Sequence, residues 1–400
     1  MKLQYFILSL LIIVSLVSCA GDGSCESIIP EIEIGKAFEN KSNVGLSEYA
    51  SAIDYIPLET TPGCMLEGAD NLLIRSFEDR IYLYSSKSAL QMTKTLPLYF
   101  KSNGDFVSSI GSFGNSNNEF TNIQTIMIDQ SVSQLIVVDY NRFVYYTLDG
   151  DFIRFAEVKS NSLTFNGYCS CDNNCIYLRN PSLLDESQGA DLLVKVDSMG
   201  RVMARASLPR AVLDQPGTPM GTIKVTKGAS LFSSSGNLYL YTRNDSLYRV
   251  NPLDLSLDAE FFLDFGKYAT NERVGATLWS RDNLFFITEE FVALTALFTY
   301  GSFPDIDRRY TRSNFIYDRK NGTTKALKYN DTYGFAGFTN DLDSGMPFYP
   351  TYMNDGKMYQ LVDAVDFIEF AQMGNSARMK EVASKLTDDS NPVLVVVSLK

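Results

Sequence analysis

The chain has 400 residues, a net charge of −12 and no histidine. Its acidity leaves no electrostatic footprint for nucleic acid. The missing imidazoles exclude Ser-His and Cys-His nucleophile pairs and remove the usual ligands of catalytic zinc, so an enzymatic reading has to rest on carboxylates, Tyr, Lys or Arg.

In chain order, Lys2 is followed by an almost unbroken apolar run from Phe6 to Val17, and Ser18 then stands before Cys19. The run is short of the roughly 18 or more apolar residues that cross a bilayer, and it reads as a secretory signal. The expected division is a signal peptide over 1–18, a tether and irregular lead-in over 19–46, and one repeat-built domain over 47–400. Leu16-Val17-Ser18-Cys19 resembles the lipobox of bacterial lipoproteins. That resemblance implies that Cys19 is diacylated and becomes the new N-terminus, and the absence of a retention signal at Ala20 points to the outer membrane. Two or three acyl chains make a stable anchor where one does not. On so acidic a chain, lipid rather than protein surface is expected to hold the membrane.

One unit then recurs: an aromatic-apolar strand, a second strand, a tight turn and a third strand. The copies begin at Arg80-Ile-Tyr-Leu-Tyr84, Gln134-Leu-Ile-Val-Val138, Cys175-Ile-Tyr-Leu178, Asn237-Leu-Tyr-Leu-Tyr241, Asn283-Leu-Phe-Phe-Ile287 and Gly356-Lys-Met-Tyr-Gln360. The turns are Asn103-Gly104-Asp105, Asp149-Gly150-Asp151 and Met199-Gly200-Arg201 in the first three copies, a Gly-free turn near Pro252 in the fourth, and Asn321-Gly322 in the fifth. Glycine there takes up positive φ cheaply. Alternation puts Tyr239 and Tyr241 on one face and Leu238 and Leu240 on the other. A sheet with two apolar faces has to be covered on both sides, which radial stacking achieves. The expected fold is therefore all-β, a six-bladed β-propeller of four-stranded antiparallel blades.

Length beyond the repeat belongs in rim loops, one of them Asp214-Gln215-Pro216-Gly217-Thr218-Pro219. At the ends, Ile53-Asp-Tyr-Ile-Pro-Leu-Glu59 is an edge strand by virtue of Pro57, and Pro392 to Leu399 is a continuous apolar strand. Pairing both in one blade closes the ring and protects the second from aggregation. A short C-terminal helix is predicted from a cap at Asn375 or Ser376, with Met379, Val382, Ala383 and Leu386 on one face.

The opening phrase Ser47-Glu48 with Ile53 to Thr60, the Gly-rich phrase Ile110-Gly111-Ser-Phe113-Gly114 with Asn118-Glu119-Phe120, and the closing Asn391-Pro392-Val393-Leu394-Val395 resemble the six-bladed β-propeller lipoproteins of Gram-negative gut bacteria, which are similar to NHL-type propellers. The resemblance implies the fold and a cell-envelope location. It carries no settled activity. This chain has Ser112 and Asn117-Asn118 where the family usually has an Arg and a Pro-Gly.

The candidate binding residues are Phe113, Asn118 and Glu119 of the Gly-rich phrase, with Asn141 and Arg142 after the second-unit strand. Backbone N–H groups of the phrase can meet an anion or a sugar hydroxyl, and Arg142 can clamp a carboxylate or form a turn salt bridge. Asp305 and Asp307 beside Arg308 and Arg309 offer paired carboxylates or a solvated loop. Asp149-Gly150-Asp151 lacks the further oxygens of a calcium loop. Cys169, Cys171 and Cys175 make a poor tetrahedral site without histidine; a turn at Asp172-Asn173-Asn174 with Cys171 opposite Cys175, bridged or as thiols, is preferred. No metal, no cofactor and no catalytic residue is assigned. The expected role is a binding or scaffold module for a glycan, peptide or envelope protein. The alternative is a glycan lyase or hydrolase using Tyr and carboxylates in the funnel.

Overall fold

The computed structural model describes residues 29–85, 95–139, 142–158, 165–179, 192–207, 212–218, 221–226, 229–242, 245–269, 276–278, 285–300 and 309–400. Six antiparallel blades surround one axis, with strands A to D counted outward. Blade 1 holds Leu73–Phe77, Arg80–Tyr84, Leu98–Lys101 and Phe106–Ser109. Blade 2 holds Thr125–Asp129, Gln134–Val138, Arg142–Thr147 and Phe152–Glu157. Blade 3 holds Phe165–Cys171, Asn174–Arg179, Leu192–Val196 and Val202–Ser207. Blade 4 holds Ala229–Ser234, Asn237–Thr242, Ser246–Val250 and Leu257–Asp264.

Blade 5 corrects the expected register. Phe285–Ile287 belongs to its innermost strand, which also includes Ala276–Leu278, and both pieces pair with Phe291–Tyr300. Arg309–Asp318 and Thr323–Ala326 complete the blade. The turn before Phe291 carries no glycine. The Thr288 hydroxyl instead accepts from Glu290 N and Phe291 N, so the usual turn residues do not mark it in sequence. The Asp214–Pro219 loop is a second correction: Val212–Thr218 is a strand paired with Gly221–Thr226, and its register slips between Gln215 and Thr218, around Pro216-Gly217.

Blade 6 closes the ring as expected. Tyr352–Asn354, Lys357–Val362 and Val393–Leu399 are its inner three strands, and Ala50–Pro57 is the outermost. Pro57 sits at the edge, where a missing N–H costs no ladder bond. The helix Ala377–Ala383 starts on Ser376, whose Oγ accepts from Met379 N at 3.1 Å. A helix not read from sequence, Ala364–Met373, precedes it.

The core is divided into six apolar clusters, one in each gap between blades. Tyr239 and Tyr241 fill the gap between blades 4 and 5, and Leu238 and Leu240 the gap between blades 3 and 4. The expected alternation of faces therefore holds. Residues 29–46, expected as part of the tether and irregular lead-in, form a belt together with residues 47–49. Glu31–Glu33 adds in parallel to the outer strand of blade 4, the helix Ile34–Glu39 follows, and Ser42 and Gly45 bridge to Leu327 and Thr339. Ile32 and Ile34 are fully buried between blades 4 and 5, each worth about 2 kcal/mol of transfer free energy.

The antiparallel ladders sort the connections between two faces. A–B and C–D turns all leave from one face and span two to six residues. B–C and D–A connections leave from the other and span three to thirty, including both C-terminal helices and the hairpin of residues 212–226. One is a turn face, the other a loop face.

Candidate functional site

The expected binding residues lie on the loop face, where the connection 110–124 from blade 1 to blade 2 meets the B–C end of blade 2. Gly111 takes φ +65°, and a Cβ there would stand 2.6 Å from Phe120 and from the Tyr146 hydroxyl, so the position needs glycine on both counts. Gly114 N donates to Phe120 O and Phe120 N to Ser112 O. Phe113 and Phe120 then meet edge to face at 5.1 Å.

Asp139 organises the neighbouring end. Its buried carboxylate accepts from Thr121 N and Oγ1, from Asn122 N at 3.1 Å, and from Arg142 Nη2 at 3.3 Å. Arg142 also donates from Nη1 to Ser116 O at 3.2 Å. Glu119 turns back to accept from Ser116 N at 2.8 Å. Those Ser116 hydrogen bonds, with Asn115 N and Arg142 adding to them, hold the Glu119 carboxyl below the usual carboxylate range. Asn118 takes part through its carbonyl, which accepts from the Tyr146 hydroxyl at 2.9 Å. Burial, opposed by Arg142 and helped by Glu119, pushes the Tyr146 phenol up to about 12.

Four of the five expected residues, Phe113, Asn118, Glu119 and Arg142, are thus brought together. Asn141 lies outside the described residues, as do Cys19 and the Asp305–Arg308 stretch. What sequence reasoning missed is Asp139 as the organiser and Ser116 as the residue both Arg142 and Glu119 reach. The only local signal was a carboxylate three residues before an arginine at a strand end.

Nearer the axis, Arg75 of blade 1 donates from Nε to Ile126 O at 2.8 Å and from Nη2 to Thr125 Oγ1 at 3.1 Å. Its guanidinium lies 5.4 Å from the Tyr84 ring and 5.8 Å from that of Tyr352. Asn354 Nδ2 donates to Ser76 O at 2.8 Å, joining blade 6 to blade 1.

Of the cysteine expectation, the reading as thiols holds and the placing of Cys171 opposite Cys175 needs correction. Asp172 and Asn173 both take positive φ, so the turn is a two-residue hairpin in which Cys171 pairs with Asn174 and Cys175 with Ser170. Successive side chains point to opposite faces. Cys175 accordingly joins the cluster between blades 2 and 3, while Cys169 and Cys171 belong to that between blades 3 and 4. A Cys171–Cys175 bridge would have to pass through the sheet, and all three are free thiols. Burial pushes Cys169 and Cys175 up to about 12. Among the described residues no His/Cys/Asp/Glu group could hold a metal ion.

The family model described as a domain of unknown function (DUF4934) matches residues 29–398. Among solved structures, a Bacteroides fragilis NCTC 9343 protein named as exported is similar at 14% identity and a TM-score of 0.62, over 93% of this chain and 99% of that one. A member of the DUF4221 family from Bacteroides vulgatus ATCC 8482 aligns at 11% identity and a TM-score of 0.48, over 88% of this chain and 97% of that one. No curated protein matches.

Proposed function

The chain belongs to the DUF4934 family, and from that membership and the geometry of its two faces we propose that it is a lipid-anchored cell-envelope propeller acting as a binding or scaffold module. Its anchor is Cys19 and its membrane the outer one. The loop face holds a glycan, peptide or protein partner by shallow polar and aromatic contacts.

The observation that carries this reading is the asymmetry of the faces. Every insertion sits on one of them, and loops presented by a rigid scaffold are where binding residues concentrate. The export named for the B. fragilis neighbour agrees with a location beyond the inner membrane. Binding is favoured over glycan cleavage by the state of the two carboxylates at the expected binding residues. Glu119 is held ionised by Ser116 N–H donation and so does not serve as a general acid near neutral pH. Asp139 is occupied by Thr121, Asn122 and Arg142.

Cys19→Ala should release the protein from membranes into the soluble fraction, and unchanged membrane association defeats the lipid anchor. Thermal unfolding of the mature chain against a panel of glycans and peptides tests the rest. An upward shift in Tm with no new product after overnight incubation supports the binding module. New products make the protein an enzyme.

A further inference from the structure

The perimeter of the ring divides into two unlike halves. The belt of residues 29–49 lies along blades 4 and 5 and runs into the outer strand of blade 6. The outer strands of blades 1, 2 and 3 are sheet edges with no fifth strand among the described residues. Each begins with a β-bulge, and the extra residue is apolar and faces solvent: Val107, Ile153 and Met203 in turn. Open, apolar edges invite strand addition unless something covers them.

Blade 3 presents the barest of these edges. Along Val202–Ser207 no residue is buried. Met203 is 62% exposed and Val202 41%, with Met199 of the preceding turn 58% exposed beside them. The side facing the blade carries only Ala204 and Ala206, which pack at the rim of the cluster between blades 3 and 4. The corresponding gap between blades 4 and 5 is filled at its rim by Ile32 and Ile34, the belt's own contribution. Arg205 is the only charged residue of the blade 3 strand and is exposed, whereas Arg201, just before the strand, is held by Asp197 at 2.7 Å. In a chain of net charge −12 the strand itself thus carries a single positive charge and no negative one. The belt segment seated on blade 4 has the opposite chemistry, Glu31-Ile32-Glu33-Ile34, with its isoleucines turned inward.

We infer that the outer strand of blade 3 is a docking edge for an extended segment of another protein in which acidic and branched apolar residues alternate, adding in parallel as a fifth strand. Main-chain hydrogen bonds supply affinity in this mode, and alternate side chains supply specificity. The apolar side chains seat over Ala204 and Ala206, and the acidic face of the segment meets Arg205. This surface lies on the perimeter and is separate from the loop face.

The probe is a synthetic peptide with the sequence of residues 30–36, added to the full chain in detergent micelles and followed by amide hydrogen exchange. Slowed exchange at 202–207, with 152–157 and 257–264 unchanged, is the expected result. A peptide with lysine in place of both glutamates should bind about tenfold more weakly, as cross-strand charge pairs require. Arg205→Glu should invert that order without changing Tm. No slowing at 202–207, slowing confined to 257–264, or indifference to peptide charge overturns the proposal. So does protection of 202–207 produced without peptide, by raised protein concentration (a second copy) or by phosphatidylcholine vesicles (a lipid surface).

Discussion

Gly104, Gly150 and Gly200 occupy one structural position in three successive blades, each with φ near or above +77° at the turn between strands C and D. A Cβ on Gly104 would stand 2.3 Å from Pro57 O, and one on Gly200 2.3 Å from Glu157 O. Each of these oxygens belongs to the outer strand of the preceding blade, so the glycine is where one blade abuts the next. Gly104→Ala and Gly200→Ala should each cost about 3 kcal/mol, strain and backbone clash together. Gly236→Ala, with positive φ but nothing within 4 Å of the added carbon, should cost only about 1 kcal/mol. Denaturant midpoints of the three variants check this, and equal losses would deny the blade-contact role. These glycines were legible because their reason is half local, a turn. Asp343 was not. It accepts from the Tyr55 hydroxyl, Asn340, Gly345 N and the Ser376 hydroxyl, partners as far as 288 residues away. No spacing rule reaches that far.

Among elements, those that repeat could be read and those that depend on a neighbour could not. Strands B and C of the first four blades carry enough alternation and turn chemistry to announce themselves. Glu31–Glu33 is three residues long and becomes a strand because blade 4 offers an edge to it. Phe291–Tyr300 escaped because threonine, rather than glycine, makes its turn. The candidate site was half legible for the same reason: the Gly-rich phrase and Arg142 stand out, whereas the Asp139 hub exists only once blade 2 has formed. Where the belt joins the loop between blades 5 and 6, Ser47 N and Oγ both donate to Asp341. Burial alone would raise the Asp341 pKa, but this donation from Ser47 outweighs it and holds the carboxyl below the usual aspartate range. A depressed carboxylate stabilises the folded state fully above its unfolded pKa and loses that contribution as pH falls through the folded one. The protection of residues 46–49, measured as exchange relative to the intrinsic rate at each pH, should therefore fall below about pH 4, before global unfolding. Asp341→Asn should remove that pH dependence, and a belt turn that loosens identically in the variant would rule out this carboxylate as its cause.

For the molecule as a whole, six separate inter-blade clusters replace a single core, and stability depends on every gap being filled. Val393–Leu399 lies inside blade 6, between Lys357–Val362 and the N-terminal strand Ala50–Pro57. Deleting residues 391–400 removes the partner of both strands and also Asn391, whose amide donates to Glu59 O and Cys64 O. That deletion should abolish cooperative unfolding in circular dichroism, whereas loss of an ordinary edge strand would only lower Tm. The closure has a consequence in time as well as in space. Ser51 hydrogen-bonds to Leu399, 348 residues later, so the first strand of the ring is threaded across any membrane long before its partner emerges. During that interval the chain is an open arc with two unsatisfied ends, and contacts of such separation form slowly. Closure of the ring therefore has to wait for Val393–Leu399, and Ala50–Pro57 is without its partner until that strand is made.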